Sequence, residues 1–412
     1  MNKYFDYAAT ALPNIEVIQL LLEVLPKEYL FGNPSSNHDN GINAKILLEN
    51  ARKLIAESLH CQSSEIYFTS GGSESDNLAL KGYMTQFPKG SELITSTIEH
   101  PAILNTCKEL EQMGYVIKYV SPDIRNTITA FDIEKLITDK TKLVSIMAVN
   151  NETGIINPIN GIADFVHEHG IVFHSDMVQG VGLYDIDLSN IDMASFSGHK
   201  FGAIKGTGIL YKKENINLNP LIQGGGQEKG LRAGTENVFG NLDMAFCLQE
   251  TLTKKWNIDK RVEIRRSIIE LIGRLYDWDR NKVRILSFPM NRIDNCLLVA
   301  FKDIDSRTLQ LLLDQEGYCV SVGSACHSNS KDTISYVVKE IDTPEEFQNG
   351  VIRITVPPEA NIEDVKAFSR VLMSKLNYLY ESEWYYGRNK NRFCSRKRRK
   401  KEREVPSKMF SL

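Results

Sequence analysis

Short apolar runs alternate along the chain with longer stretches whose apolar residues recur at three- and four-residue intervals. Residues 93–96 (Leu-Ile-Thr-Ser), 143–149 (Leu-Val-Ser-Ile-Met-Ala-Val) and 171–173 (Ile-Val-Phe) are too short for buried helices and read as strands covered on both faces. Residues 45–59 place Leu47, Leu48, Ala51, Leu54, Ile55 and Leu59 on one helical face and predict a helix. Strands and helices in alternation predict an α/β fold with a mostly parallel sheet covered on both sides. The 412 residues suffice for two domains and a sizeable core, and no internal repeat interrupts the pattern.

The ends of the predicted strands carry the chemistry. Ala194-Ser-Phe-Ser-Gly-His-Lys200 is an apolar run closing in a small turn that presents His199 and Lys200. A lysine at the end of a buried strand loses hydration, which favours the neutral amine, and a neutral amine attacks an aldehyde such as that of pyridoxal phosphate. The run from Ile171 ends in Asp176, with Gln179 three residues on. A carboxylate there pairs with a pyridinium nitrogen and keeps it protonated, so that the ring accepts electrons. Glu65-Ile-Tyr-Phe-Thr-Ser70 and Gly71-Gly-Ser-Glu-Ser-Asp-Asn-Leu-Ala-Leu80 supply a strand, a glycine turn and a helix start. Free amides there, with the Ser73 hydroxyl, suit a phosphate. Each feature alone has an ordinary reading, as a surface lysine, a turn-forming aspartate or a capped helix. Found together at strand ends, they predict a pyridoxal 5'-phosphate site.

Nine segments follow one another in order: Tyr4-Phe-Asp-Tyr-Ala-Ala-Thr10, Phe31-Gly-Asn-Pro-Ser-Ser36, Thr69-Ser-Gly-Gly-Ser-Glu-Ser-Asp-Asn77, Glu99-His100, Val149-Asn-Asn-Glu152, Ser197-Gly-His-Lys200, Gly224-Gly-Gly-Gln-Glu228, Arg232-Ala-Gly-Thr235 and Gly323-Ser-Ala-Cys326. In this order the chain resembles the cysteine desulfurases of the NifS/IscS type, within the class V aminotransferase group. The resemblance implies a fold type I pyridoxal-phosphate transferase with a large cofactor-binding domain over residues 15–255 on a mostly parallel seven-stranded sheet. It also implies a smaller α+β domain from residues 1–14 and 256–386, carrying the catalytic cysteine loop.

The same resemblance implies roles. Lys200 would bond the cofactor and then take the substrate α-proton, while His100 would stack on the ring and join the proton transfers. Asn151 would bond the phenolic oxygen, Asp176 the ring nitrogen, and Gln179 would be a further cofactor contact. Gly72, Ser73, Ser197 and His199 would meet the phosphate. Thr235 would reach the phosphate of a partner subunit, implying a homodimer. Arg353 in Val351-Ile-Arg-Ile-Thr355 matches the arginine that grips the substrate carboxylate through its planar fork, with Asn33 as a second contact. Read without the family, Arg353 sits on the exposed face of a strand, and Asn33-Pro34 and Asn150-Asn151 are turns.

Cysteine usage separates a desulfurase from its transaminating relatives. Cys61, Cys107, Cys247, Cys296, Cys319, Cys326 and Cys394 form no CxxC pair and no metal-ligand spacing. Their odd number fits a reducing compartment, where most thiols are small buried hydrophobes. Cys326 differs, because Ser321-Val-Gly-Ser-Ala-Cys-His-Ser-Asn-Ser330 is a small, polar run, and the neighbouring His327 favours a thiolate. The expected reaction converts L-cysteine to L-alanine and leaves the sulfur as a persulfide on Cys326. From there it passes to a sulfur-acceptor protein, for iron–sulfur cluster assembly or nucleic-acid thiolation. No metal site is expected beyond a transient iron–sulfur contact at Cys326. The alternatives are a selenocysteine lyase, another class V aminotransferase-fold enzyme, or a nucleic-acid-binding protein on a retired scaffold. The intact set of Lys200, Asp176, His100 and Cys326 argues against retirement. Gly72-Ser73 stands where many relatives carry Ala-Thr, which keeps a hydroxyl, and Phe201-Gly-Ala-Ile-Lys-Gly206 departs from the common pattern after the lysine.

Composition is that of an ordinary soluble protein, with 42% hydrophobic and 25% charged residues. No apolar run approaches the roughly 18 residues of a membrane span, and the Tyr4 motif begins too early for a leader. A cytoplasmic location is therefore expected. The net charge of −3 conceals a division, because eleven of the 49 basic and two of the 52 acidic residues follow Tyr386. The body thus carries −12 and the tail over 387–412 carries +9. Such a tail is expected to be disordered or at most transiently helical; it could meet tRNA or DNA phosphates, dock on an acidic acceptor protein, or stay solvated and do little or fold back on the acidic body.

Overall fold

The computed structural model describes residues 3–24, 32–123, 125–287, 291–322 and 334–382. Its larger sheet has the strand order β1-β7-β6-β5-β4-β2-β3. The strands are β1 (Ile66–Thr69), β2 (Glu92–Ser96), β3 (Val116–Val120), β4 (Thr141–Ser145), β5 (Val172–Asp176), β6 (Met193–Ser197) and β7 (Gly208–Lys212). All pairings from β3 across to β6 are parallel, and only β7 runs antiparallel to its neighbours β6 and β1. The seven-stranded, mostly parallel sheet is the one expected.

Alternation along each strand sends neighbouring residues to opposite faces, and both faces are buried. Tyr67, Leu93, Leu143, Met193 and Leu210 join one apolar cluster with the helices Gly72–Met84 and Pro101–Gln112. Ile66, Phe68, Ile94, Val144, Phe173, Phe196 and Ile209 face the main core, with the helices Asp39–Ser58, Ile159–Glu168 and Val238–Glu250. Phe173 and Phe196 are wholly buried, so truncating either to alanine costs about 3–5 kcal/mol. The three strand expectations fall on β2, β4 and β5. The run to Val149 leaves the sheet at Ser145, yet the Ile146 and Ala148 amides still donate to the carbonyls of His174 and Asp176 on β5. The intervening Met147 amide instead donates to the Glu99 carboxyl. The helix expected at 45–59 starts at Asp39, because His38 Nδ1 accepts the Gly41 N–H and caps a first turn that the apolar repeat does not mark.

The smaller sheet is antiparallel throughout, in the order β10-β11-β9-β8, with β8 (Val283–Ile285), β9 (Cys296–Phe301), β10 (Ser321–Val322) and β11 (Val351–Thr355). The helices Ile258–Asp279 and Ile362–Glu381 pack together beside it. Near the N-terminus, Tyr4 and Asp6 form parallel bridges to Cys319 and Thr355. The chain then crosses to the larger sheet, where the Ala11 N–H donates to the His199 carbonyl. The segments that follow β1, β2, β4, β5 and β6 thus meet at the carboxyl ends of the parallel strands, the rim at which open α/β sheets bind ligands. No described helix is long and apolar enough to cross a membrane.

Candidate active site

Lys200 closes a single 3₁₀ turn, Gly198–Lys200, directly after β6. Its Nζ donates to the carbonyls of Ala8 at 2.7 Å and Ala9 at 3.1 Å. The Gln179 amide donates to the same Ala8 oxygen at 3.0 Å. His199 Nδ1 lies 3.2 Å from the Thr10 hydroxyl. Burial, then the charges of Lys200 and Lys205, push the His199 imidazole down to about 4. One strand over, Asp176 ends β5 in register with Ser195 of β6. Its Oδ1 accepts the Val178 N–H at 2.8 Å. Burial raises this carboxyl to about 6, against the pull of that amide and of Lys200. His100 caps the helix Pro101–Gln112 by accepting the Ala102 N–H on Nδ1 at 3.1 Å, so the neutral ring carries its proton on Nε2. Burial and Lys200 hold it near 4. One atom each from Asp76, His100 and Asp176 lie within 4.8 Å of one another.

The predicted phosphate cradle is a turn laid flat on the sheet. The helix Gly72–Met84 is capped by Gly71 at φ 154°, with no side-chain hydrogen bond at the cap. The first-turn amides, Gly72 and Ser73 among them, have no acceptor within the helix and stand at its positive end. A Cβ on Gly208 of β7 would lie 2.5 Å from Gly71 Cα, and one on Gly72 would lie 2.5 Å from Val178 Cγ2. Glycine at both positions is what lets the turn settle beside Ser197. Glu74 holds it from outside, accepting the Ser70 N–H at 2.9 Å and pairing with Arg232 at 2.8 Å. Ser73 is exposed at the rim.

Arg353, on β11, is buried, and its guanidinium joins the two sheets. Nη1 donates to the Asn151 carbonyl at 2.7 Å, and Nη2 to Asp6 Oδ1 and Ser321 Oγ at 3.0 Å each. Its Nε and the buried Asn151 Oδ1 have no hydrogen-bond partner among the described residues. Asn33 and Thr235 stand apart. Both are exposed, Asn33 Oδ1 accepts the Ser35 N–H, and no hydrogen bond among the described residues joins either to the cluster. Cys326 lies outside the described residues, as does the tail.

Several buried site groups were not singled out from the sequence. Glu99 and Glu152 are raised by burial to about 8 and about 7. Ser335 Oγ donates to Glu152 Oε1 at 2.8 Å, and the Tyr336 hydroxyl donates to the Glu99 carbonyl. His174 lies two residues before Asp176, on the same face of β5, and Asp76 lies in the second turn after the cradle. The period-two rule applied to β5 would have found His174; Glu99 and Glu152 each adjoin a residue that was chosen.

A cradle of free amides, a buried carboxylate, a lysine at a strand end and a buried amide lacking a partner make up a donor set that fits pyridoxal phosphate. Fold and site together define a fold type I pyridoxal-phosphate enzyme. Residues 3–368 match the model of the aminotransferase class-V family, and the chain belongs to that family. A cysteine desulfurase IscS of Dictyoglomus turgidum is 38% identical over 389 residues, covering 92% of this chain and 97% of that one. Among solved structures, a NifS-like protein superposes with a TM-score of 0.84 at 34% identity, over 92% of this chain and 100% of that one. A structure described as SspA in complex with cysteine gives 0.72 at 33% identity, over 87% and 99%.

Proposed function

We propose that the protein is a pyridoxal-phosphate-dependent cysteine desulfurase that converts L-cysteine to L-alanine and passes the sulfur to an acceptor protein through a persulfide on Cys326. The observation that carries this reading is the buried Arg353, which keeps an unmatched N–H while bonded to the Asn151 backbone. It supplies a carboxylate-binding group at the cofactor rim of a chain similar to cysteine desulfurases over nine-tenths of its length.

When bound, the cofactor supplies an electron sink for the pair left at the substrate Cα. The amides of Gly72 and Ser73, the hydroxyls of Ser73 and Ser197 and the His199 ring hold its phosphate. Asp176 would keep the ring nitrogen protonated, Asn151 would serve the phenolic oxygen, and Gln179, a further cofactor contact, holds the Ala8 carbonyl to which Lys200 Nζ also donates. Arg353, assisted by Asn33, fixes the amino-acid carboxylate through charge-assisted hydrogen bonds. Lys200 Nζ takes the proton from Cα. Neutral His100, with its proton on Nε2, relays protons at the ring face. The Cys326 thiolate then attacks the substrate sulfur. A bond forms between Cys326 Sγ and that sulfur, the Cβ–S bond breaks, and the electron pair stays with the carbon fragment, which gains one proton at Cβ, regains one at Cα from Lys200 and leaves as alanine.

The exposure of Thr235 supports a role at a partner's phosphate, and hence a homodimer. The two separate sheets support a division into residues 15–255 and 1–14 with 256–386. The test is to give the cofactor-loaded protein L-cysteine and a thiol reductant. Equal amounts of sulfide and alanine are expected; pyruvate in place of alanine would overturn the reading.

A further inference from the structure

Asp76 has no part in the roles above, yet it is almost wholly buried. Its side chain is 1% exposed, and its Oδ1 accepts no hydrogen bond among the described residues. It lies within the 4.8 Å cluster that also holds Asp176 and His100. Two ionised carboxylates this close in a buried site repel, and disfavour the second ionisation by a factor on the order of a hundred.

Among the described residues, Lys200 eases the ionisation of Asp176, and no cation does the same for Asp76. His174 Nε2 is 3.9 Å from Asp76 Oδ1, but the ring is wholly buried, spans the hydroxyls of Ser145 at 2.8 Å and Ser195 at 3.0 Å, and is pushed by burial down to about 3. It is neutral. His100 and Glu99, in the turn after β2, are a neutral imidazole and a carboxyl that burial lifts to about 8, so neither brings a cation. Asp176 has the Val178 amide and the charge of Lys200 beside it, whereas among the described residues the Ser195 hydroxyl alone favours an ionised Asp76. Burial, then the Asp176 charge, push Asp76 well above the carboxylate range.

We propose that Asp76 is a positioning residue that shares one negative charge with Asp176, Asp76 keeping the proton of the pair while Asp176 presents the anion to the ring nitrogen. The proposal rests on the reading of Asp176 given above. It follows that the site requires a neutral hydrogen-bonding side chain at position 76, not a second anion.

The test compares the holoenzyme with Asp76→Asn, Asp76→Ala and Asp176→Asn. Infrared spectra near neutral pH should show a deuterium-sensitive carbonyl stretch of a protonated carboxyl that disappears in Asp76→Asn. Cofactor affinity should fall about tenfold or more in Asp76→Ala and return to within about threefold of wild type in Asp76→Asn. An unchanged infrared spectrum in Asp76→Asn, or a loss of affinity as large as in Asp76→Ala, would overturn the proposal. If Asp76→Ala does not fold, the infrared comparison decides alone. Asp176→Asn that binds the cofactor like wild type overturns the Asp176 reading and the proposal with it. Asp176→Asn that loses the cofactor, while no carboxyl band of the wild type disappears in Asp76→Asn, overturns the proposal alone.

Discussion

The guanidinium of Arg353 donates from Nη1 to the backbone carbonyl of Asn151 at 2.7 Å, joining a strand of the small sheet to the rim of the large one. Asp6 and Ser321 hold Nη2, so the planar fork is oriented before substrate arrives. A lysine carries a point charge without that planar fork. Arg353→Lys should therefore raise KM for L-cysteine on the order of a hundredfold and leave the cofactor absorption band in place. A KM within about threefold of wild type would show that the carboxylate is held elsewhere.

The buried ion pair between Arg52 and Glu228 is structural. Arg52 meets both oxygens of Glu228 at 2.8 Å, donates to the Ile66 carbonyl and stacks on Phe68, while Glu228 also accepts the Phe68 N–H. It fastens the segment leading to Thr235 onto the edge strand β1. Glu228→Ala leaves a buried guanidinium unpaired, and urea denaturation should register a loss of about 3–5 kcal/mol. A loss below about 1 kcal/mol would mean that water reaches Arg52.

Glu99 gives the apoprotein a predictable pH dependence. Burial raises its carboxyl to about 8, so between the ordinary carboxylate range and pH 8 the folded protein holds a proton that the unfolded chain has released. Its contribution is fully present below the unfolded pKa and is lost as pH rises through that window. Glu99→Gln should flatten the stability profile there by up to about 1.4 kcal/mol per pH unit. His100 acts in the opposite sense: its pKa of about 4 means the unfolded chain alone takes up a proton below about 6.5, and stability falls with acid. Identical profiles for wild type and Glu99→Gln would place an ionised carboxylate at Glu99.

Much of this was legible in the chain, for physical reasons that also mark the limit. The runs at 93–96 and 171–173 are buried on both faces, so apolarity alone reveals them. Asp176 and Lys200 stand out because a polar residue ends an apolar run. The antiparallel β7 was not legible, since Gly-Ile-Leu-Tyr-Lys reads the same in either direction. The N-terminal reach of helix Asp39–Ser58 was hidden because a histidine cap has no apolar signature. Asp76, Glu99 and Glu152 were missed because a buried carboxyl looks like a surface one until its neighbours are known. The number of strands in the large sheet came from resemblance, not from periodicity.

The basic tail offers a separate test through its charge. With +9 on residues 387–412 and −12 on the body, phosphate binding should depend on the tail. Deleting residues 388–412 should abolish a salt-sensitive affinity for tRNA or duplex DNA and leave desulfuration intact. Nucleic-acid binding that survives the deletion would remove the tail from that role.

The central claim is that sulfur leaves L-cysteine through Cys326 at a site whose cofactor is held by Lys200. The most direct measurement is mass spectrometry of cysteine-treated holoenzyme, wild type and Cys326→Ala, with the cofactor absorption recorded on the same samples. We expect one added sulfur on Cys326 in the wild type, none on the protein in Cys326→Ala, and the same absorption band in both. A persulfide that persists in Cys326→Ala, or loss of the band with that substitution, would contradict the account.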